Sequence, residues 1–255
     1  MEEVLSELSF ACPESLSIKL IAEENFNKSS ISTLPDTVLT MGQKESTLSI
    51  LNNLENQGVK VINNSNSIRN CFRENLINKV NKIANCPYVS STVMHTADLN
   101  NDDIGLWIKR ADFHATEDTD VFFMQSKSQL FEMKNNFLNR NITKVIKQPH
   151  LPGKILKFYG VGNTIVDIRD MGISGYNRYE LKNNNIKFSI DKTKIENNLS
   201  PILQSLQLDI YGGDLVLDDS GNFTFIDIND WPSFRTCRTI AAKAIAEMIL
   251  SDTKL

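Results

Sequence analysis

The C-terminal stretch GGDLVLDDSGNFTFIDIND, residues 212–230, constrains the fold most, because it predicts a hairpin with acids on both arms. Both arms are rich in β-forming apolar residues, and DSGN between them is typical of a four-residue loop. The predicted register pairs the residue before that loop with the residue after it, and it places Asp214 opposite Asp227. Asn229 lies two residues further on, so its side chain points to the same face as that of Asp227.

Two carboxylates directly opposite each other repel, and a cation between them reverses the sign of the interaction. Carboxylate and amide oxygens are the ligands that Mg²⁺ prefers in proteins. The hairpin therefore predicts a magnesium site made of Asp214, Asp227 and Asn229. The alternative is that all three are solvated side chains at a strand end, and the pattern alone leaves both interpretations open.

The overall charge argues against partners that are attracted by a global field. The chain has 255 residues, a formal net charge of −4 and 41% hydrophobic residues, so neither a nucleic acid nor a membrane is expected as a partner. No apolar run approaches the roughly 20 residues that span a bilayer, and the acidic start MEEVLSELSF is unlike a secretory signal. The four cysteines show no CxxC spacing, which favours a cytoplasmic location. The expected partner is a small anionic molecule at a local cluster of cations, and the oligomeric state stays open.

Hydrophobic periodicity divides the chain into three predicted segments. Residues 1–85 alternate between strand and helix patterns, which predicts a small parallel α/β lobe. Within it, a strand is predicted over SLSIKLIAEE and one helix over SNSIRNCFRENLINKVNKIA. Residues 86–150 begin with CPYVSSTVM, predicted as an extended connector, and continue with strands and a helix. Residues 151–255 contain two strands joined by a tight Gly-Asn turn, a helix, the acidic hairpin and a closing helix.

Four stretches resemble, in their order, the motifs of the ATP-grasp superfamily. The extended hairpin GGDLVLDDSGNFTFIDINDWPS resembles the last motif, and LWIKR resembles the strand with a phosphate-contacting lysine. NSIRNCFRENL is similar to the helix that enters the ATP lobe, and VIKQPHLPGKILKFYGVGNTIVDIR is similar to the strand before the adenine hinge with the basic positions after it. The resemblance implies an α/β (α+β) ATP-grasp fold, in which a small parallel α/β lobe precedes two β-sheet lobes that hold ATP between them.

The resemblance also implies a role for each candidate residue. Mg²⁺ would be held against the ATP phosphates by Asp214, Asp227 and Asn229. The nucleotide would be bound by two cations, Arg73 and Lys109, and by the hinge residues Lys147, Gln148, Pro149, His150 and Leu151. The candidates for the transfer step are His114, Lys157 and Arg169. In most members of the superfamily a glutamate occupies the position of Asp227.

The main functional prediction is a kinase that acts on an inositol-phosphate-like polyol. The loop after Lys109 lacks the glycines of many ligases, and His114 follows Lys109 by a spacing similar to that of the inositol trisphosphate kinase branch. The Asp-x-Asn form at 227–229 is similar to the same branch. The alternative is a carboxylate–amine ligase that forms an acyl phosphate. A third interpretation, a non-catalytic ATP-binding protein, is compatible with Asp227 and with the shortened first lobe.

Overall fold

The computed structural model describes residues 2–11, 17–113, 117–173 and 190–252. The N-terminal part contains α1 (Glu2–Ala11), β1 (Thr37–Leu39), α2 (Glu45–Asn56), β2 (Lys60–Ile62), α3 (Ser65–Asn70) and α4 (Arg73–Val80). The middle part contains β3 (Thr92–His95), β4 (Leu106–Arg110), β5 (Val121–Phe123), α5 (Lys127–Asn139) and β6 (Lys144–Pro149). The C-terminal part contains β7 (Lys154–Val161), β8 (Thr164–Ile173), α6 (Lys192–Leu206), β9 (Ile210–Leu217), β10 (Phe223–Asp230) and α7 (Arg238–Asp252). Within these ranges, every helix is too short or too polar to cross a lipid bilayer.

The strands form one sheet in each part of the chain. β1 and β2 pair in parallel, as predicted, with α2 as the connection between them. The central sheet has the order β3-β6-β4-β5, and the C-terminal sheet has the order β10-β9-β7-β8. All described pairs in these two sheets are antiparallel. The predicted connector over CPYVSSTVM is wrong in its second half, because β3 bonds along β6 and forms an edge of the central sheet.

Helices cover both faces of the C-terminal sheet. Neighbouring residues of a strand point to opposite sides of the sheet, so the clusters to which they belong show which helices pack on each face. Phe158 belongs to a core cluster that includes residues of α4 and α6, whereas Tyr159 belongs to a cluster that includes residues of α1 and α7. The central sheet is packed on one face by α5, whose Leu130, Met133 and Phe137 are buried as predicted. Its other face turns toward the C-terminal sheet.

The single helix predicted over residues 65–84 is wrong, because the chain leaves the helical conformation at Phe72. Its backbone there is extended, with φ −59° and ψ 128°, and its ring packs on Phe113 with centroids 5.2 Å apart. The next turn is tied to the central sheet, where the Glu74 N–H donates to the Ala111 carbonyl at 2.9 Å. The break therefore places Arg73 at the first position of α4, where it is buried.

The strand predicted over SLSIKLIAEE is also wrong for its described part, residues 17–24. This segment joins no sheet. The Glu23 carboxylate instead accepts hydrogen bonds from the backbone N–H groups of Gln43 and Lys44, at 2.8 and 2.9 Å. These groups lie at the start of α2, where Lys44 supplies no side-chain cap, so Glu23 satisfies donors that the helix end leaves open.

The hairpin β9–β10 differs from the predicted register near its turn and agrees with it at the acids. Phe223 pairs with Leu217 rather than with Asp218, because the Asp218 carboxylate accepts bonds from backbone N–H groups inside the turn. A bulge just before Asp227 then shifts the register by one residue. Asp227 consequently pairs with Asp214.

A buried asparagine fastens the N-terminal part to the C-terminal sheet. Asn63, which is fully buried, follows β2 and donates from Nδ2 to the Ile210 carbonyl at 2.6 Å. Its Oδ1 accepts from the N–H groups of Asp209 and Ile210 at 3.0 and 2.9 Å. The start of β9 is thereby held by three hydrogen bonds from one side chain.

We expect Asn63→Ala to lower the free energy of unfolding by about 3 kcal/mol, because it leaves buried backbone groups without partners. Urea unfolding followed by circular dichroism measures the difference. Asn52→Ala, at an exposed position of α2, is the matched control and should change the value by no more than about 0.5 kcal/mol. Equal effects of the two substitutions would show that the Asn63 contacts do not fasten the two parts.

Candidate active site

One row of charged side chains crosses all four strands of the C-terminal sheet. Lys157 on β7 pairs with Arg169 on β8 and with Asp214 on β9, and Asp214 pairs with Asp227 on β10. Directly paired residues carry their side chains on the same face of a sheet. Two cations and two carboxylates therefore stand side by side in the order Arg169, Lys157, Asp214, Asp227, and we call them the charged row.

The charges of the row influence one another strongly. Lys157 Nζ lies 3.3 Å from Asp214 Oδ1. Burial lowers the pKa of Lys157, but the Asp214 carboxylate outweighs it and leaves that pKa raised. Burial raises the pKa of Asp214 in spite of Lys157, whereas at Asp227 the same effect is outweighed by Arg73 and Lys109, so its pKa is lowered. The two opposed acids thus have pKa values displaced in opposite directions, a pattern that is common at functional sites.

Lys109 approaches the charged row from the central sheet. Its side chain is buried, and its Nζ donates to the Ile226 carbonyl at 3.1 Å, beside the bulge of β10. The ammonium group acts electrostatically on both Asp214 and Asp227. The Asn229 side chain helps to lower the pKa of the Asp227 carboxylate. The predicted phosphate-contacting lysine and the predicted metal ligands are therefore brought together across the space between the two sheets.

Arg73 lies on the other side of Asp227, and its hydrogen-bonding capacity is poorly used. Its guanidinium is buried, with Nη2 3.6 Å from Asp227 Oδ2. Nη1 reaches the carbonyls of Arg110 and Phe113 only at 3.4 and 3.5 Å, and Nε has no partner among the described residues. Buried polar groups are nearly always bonded, so Arg73 is a buried cation whose bonding capacity is only partly used.

The segment 231–237, between β10 and α7, lies over the residues next to the charged row. A Cβ on Gly212 would approach Pro232 to 2.8 Å, and the Phe234 ring packs on Tyr159 with centroids 5.5 Å apart. Gly212 and Tyr159 are paired neighbours, each two residues from a member of the charged row. The segment therefore forms a wall along one side of that row, and only a glycine at 212 leaves room for it.

Three rings form an aromatic cluster on the central sheet. Trp107 lies two residues before Lys109 on β4 and hence on the same face. Its ring centroid is 5.3 Å from that of Phe123, and its indole N–H donates to His150 Nδ1 at 3.2 Å. Burial lowers the pKa of His150, which favours the neutral ring that accepts this bond. Sequence reasoning identified His150 but missed Trp107, although its alternation with Lys109 was a usable signal.

The other predicted hinge residues occupy varied positions. Gln148 is buried and donates from Nε2 to Ser91 Oγ at 2.9 Å. Pro149 is the last residue of β6, and Leu151 lies in the link before β7, where it is partly exposed. These residues line the connection between the two sheets.

The alternation of β6 places Lys147, which is predicted to contact the nucleotide, on the face that packs against α5. Lys147 pairs with Ile108, whose side chain lies in the core beneath α5. Lys147 therefore points away from the face that carries Lys109. Its Nζ forms an ion pair with the buried Asp103 at 2.7 Å. His114, predicted to act in the transfer step, lies outside the described residues.

The carboxylate and amide oxygens at the charged row are of the kind that binds Mg²⁺. Within the described ranges, no group of three or more His, Cys, Asp or Glu side chains is placed to hold a metal ion. The predicted set instead contains two carboxylates and one amide. Mg²⁺ in nucleotide sites is commonly held by one or two carboxylates, with water and phosphate oxygens completing the octahedron. Asp214, Asp227 and Asn229 meet that description.

Comparison with solved structures relates the whole chain to known proteins. The structure is similar to a RimK-domain ATP-grasp protein from Sphaerobacter thermophilus, with a TM-score of 0.66, 13% identity, and coverage of 98% of this chain and 94% of that chain. It is also similar to the ATP-grasp ligase PsnB with a minimal precursor, with a TM-score of 0.67, 13% identity, and coverage of 98% and 94%. For the D-alanine–D-alanine ligase of Bacillus anthracis with ATP, the TM-score is 0.68 at 13% identity, with coverage of 98% and 91%.

These likenesses establish the fold. No family model and no curated protein matches the sequence, so the structure carries the assignment. The chain has the ATP-grasp fold. The α/β fold class expected from the resemblance is thereby confirmed.

One further acid lies on the reverse side of β10, directly after Asn229. Asp230 is buried and accepts hydrogen bonds from Gln43 Nε2 at 2.9 and 3.2 Å. Burial raises the pKa of Asp230 to about 6, although the Gln43 amide opposes the change. The folded protein therefore favours the protonated form of this side chain.

This preference predicts a pH dependence of stability. Because the pKa of Asp230 is raised on folding, its protonated form contributes stability that is fully present below about pH 4 and is lost as the pH rises through about 6. We expect Asp230→Asn to gain up to about 3 kcal/mol relative to the unmodified protein between pH 4 and pH 7.5. Urea unfolding across this pH range measures the difference. Asp219→Asn, an exposed acid of the hairpin turn, is the control, and a flat difference for Asp230→Asn would contradict the assignment.

Proposed function

We propose that this protein is an ATP- and Mg²⁺-dependent ligase that joins a carboxylate to an amine through an acyl phosphate. The observation that carries the proposal is the charged row of the C-terminal sheet facing Lys109 and Arg73. Two acids suited to Mg²⁺ lie between cations on both sides. This is the arrangement that a triphosphate and a carboxylate need when they react end to end.

The nucleotide would lie between the two sheets, its base near the hinge and its phosphates over Asp227. The aromatic cluster of Trp107, Phe123 and His150 offers ring faces and edges for a base. Lys109 and Arg73 would neutralise the charge of the phosphate oxygens. The similar Bacillus anthracis ligase contains ATP, and another PsnB structure contains Mg and ADP.

The side chains of the charged row would neutralise charge and hold the reacting groups in position. A carboxylate oxygen of the acid attacks the γ-phosphorus, the bond from that phosphorus to the bridging oxygen breaks, and ADP leaves with the electron pair. Lys157 and Arg169 would bind the oxygens of the acyl phosphate. The amine then attacks the carbonyl carbon, and the carbon–oxygen bond breaks, so that phosphate leaves with the electron pair and takes up a proton of the amine. Mg²⁺ held by Asp214, Asp227 and Asn229 would supply neutralisation of phosphate charge.

The ligase is favoured over the kinase by what is known of the similar structures. The proteins named above include two ligases, the ATP-grasp ligase PsnB and a D-alanine–D-alanine ligase, and they give no support to an inositol phosphate kinase. The kinase prediction depended on His114 and its loop without glycine, on Asp227 in place of glutamate, and on a cluster of cations. His114 lies outside the described residues. A shorter acid still supplies a carboxylate oxygen, and a ligase needs the same cations for ATP and an acyl phosphate.

Replacing Lys109 and Lys147 by Met, one at a time, tests which face of the central sheet binds the nucleotide. Lys109→Met removes a buried cation from the cleft and should weaken Mg-ATP binding about 10- to 100-fold, which corresponds to the loss of a charge-assisted hydrogen bond. Lys147→Met should leave the affinity within about twofold. It should instead lower the free energy of unfolding by about 1–3 kcal/mol, because the buried Asp103 loses its ion-pair partner and keeps the hydrogen bond from the Asn100 N–H.

Isothermal titration calorimetry measures the affinities in this pair of variants, and urea unfolding measures the stabilities. Equal weakening of Mg-ATP binding by both substitutions would contradict the placement of the nucleotide on the Lys109 face. It would support the prediction that Lys147 contacts the nucleotide.

The reaction itself is tested with ATP, Mg²⁺ and a pool of amino acids and short peptides. We expect ADP and phosphate to form only when an acid and an amine are both present, and hydroxylamine to trap the activated acid as a hydroxamate. Asp227→Asn should lower kcat at least about 100-fold, as loss of one charge-stabilising group does elsewhere. Asp219→Asn, at the exposed turn of the same hairpin, should leave kcat within about twofold.

Three outcomes oppose the proposal in different ways. Transfer of the γ-phosphate to a polyol would replace the ligase with a kinase. Nucleotide binding without turnover in any substrate pool would support a non-catalytic protein. Full activity of Asp227→Asn would contradict the proposed metal site.

A further inference from the structure

The Arg169 guanidinium is held along one edge. Its Nε donates to Asp167 Oδ2 at 2.6 Å, and its Nη2 donates to the Thr236 carbonyl at 3.3 Å. The residues that the structure describes offer no partner to Nη1. The remaining N–H bonds of Nη1 and Nη2 form the outer fork of the guanidinium, which is the edge that binds carboxylate and phosphate oxygens in pairs.

Asp167 is itself fixed in place. It lies on β8 two residues before Arg169 and pairs with Tyr159, so it belongs to the residues beneath the wall and not to the charged row. Only 15% of its side chain is exposed, compared with 48% for Arg169. Burial and the nearby Asp167 carboxylate raise the pKa of the Cys237 thiol, at the end of the wall, to about 11. A carboxylate that is largely covered is a firm support for a more exposed cation.

Such a support matters because a free arginine side chain has many rotamers. Ordering it when a ligand binds costs affinity, and a pre-ordered fork avoids most of that cost. The nearest acid of the charged row cannot serve this purpose without disturbing the site, since Asp214 is engaged by Lys157 at 3.3 Å. Asp167 offers a negative charge from the neighbouring row, so it can hold Arg169 while the acids of the charged row remain available.

We infer that Asp167 is a positioning residue, which orients the outer fork of Arg169 toward the phosphoryl group that is transferred. The inference rests on the proposed function, because it assigns that group to the space above the charged row. Asp167 touches neither the nucleotide nor the acceptor in this scheme. It acts through Arg169 alone, and with the Thr236 carbonyl it sets the direction of the guanidinium plane.

The test uses the full chain saturated with Mg-ADP, with inorganic phosphate as the probe for the position of the transferred group. We expect Asp167→Ala to weaken phosphate binding about 5- to 10-fold, while the affinity for Mg-ADP stays within about twofold. Arg169→Ala should weaken phosphate binding at least as much. Asp170→Ala is the matched control, because it removes an acid of the same strand whose carboxylate contacts Lys154, and it should leave phosphate binding unchanged.

A spectroscopic readout separates orientation from general loss of structure. In ¹H–¹⁵N spectra of arginine side chains, the Nε–H signal of Arg169, assigned from the Arg169→Ala spectrum, should be shifted downfield and exchange slowly in the unmodified protein. It should move and exchange faster in Asp167→Ala, and it should stay in place in Asp170→Ala. Asp167→Asn keeps an acceptor oxygen and should lie between the two.

The outcomes distinguish this inference from the proposed function. If the unmodified protein does not bind Mg-ADP, the proposed function fails and the inference fails with it. If Mg-ADP binds and Arg169→Ala weakens phosphate binding, but Asp167→Ala neither weakens it nor moves the Nε–H signal, only the positioning role of Asp167 is overturned. If Arg169→Ala leaves phosphate binding intact, Arg169 does not face the transferred group, and the inference is overturned at that step.

Discussion

The repulsion between Asp214 and Asp227 is the constraint on which the rest of the site depends. Their strands pair in a register that sets the two acids side by side, and such a pair is unfavourable unless cations surround it. The compensating charges come from three different places: Lys157 from the same sheet, Lys109 from the central sheet, and Arg73 from the start of α4. These three cations lie on three different elements. The acids therefore do more than offer ligands, because they draw together parts of the chain that are distant in sequence.

The acids themselves could be predicted from the sequence, and so could their partnership. Alternation along FTFIDIND put Asp227 and Asn229 on one face, and a short turn put Asp214 opposite. The prediction was correct at the acids although the residues beside the turn pair differently, because the bulge before Asp227 makes up for the one-residue difference. A bulge has no reliable sequence signature, so the sequence alone could not show that the predicted register would be restored at the acids. The core of α5 and the parallel pair β1–β2 were predictable for a firmer reason, namely periodicity over whole elements.

What could not be predicted depends on contacts between distant segments. The break at Phe72 has no glycine or proline to mark it, and it is accompanied by packing on Phe113 and a bond to Ala111. Only that break places Arg73 in the cleft. The face on which Lys147 lies could not be predicted either. Alternation in KVIKQP says that residues 146 and 148 share a face, but it does not say which face turns toward the C-terminal sheet. That choice is made by the pairing of β6 with β4, which sets Lys147 beside Ile108 and away from Lys109.

The balance of charge gives a physical reason for a polyanion at this site. Arg73, Lys109, Lys157 and Arg169 carry four positive charges, and Asp214, Asp227 and Asp167 carry three negative ones, so one positive charge is in excess. A triphosphate with one bound Mg²⁺ carries roughly two negative charges, so this excess favours its binding. Arg73 and Arg169 lie at the two ends of this set of charges. A ligand that reaches from one to the other passes over both carboxylates, and this path is the one along which a phosphoryl group would move from nucleotide to acceptor.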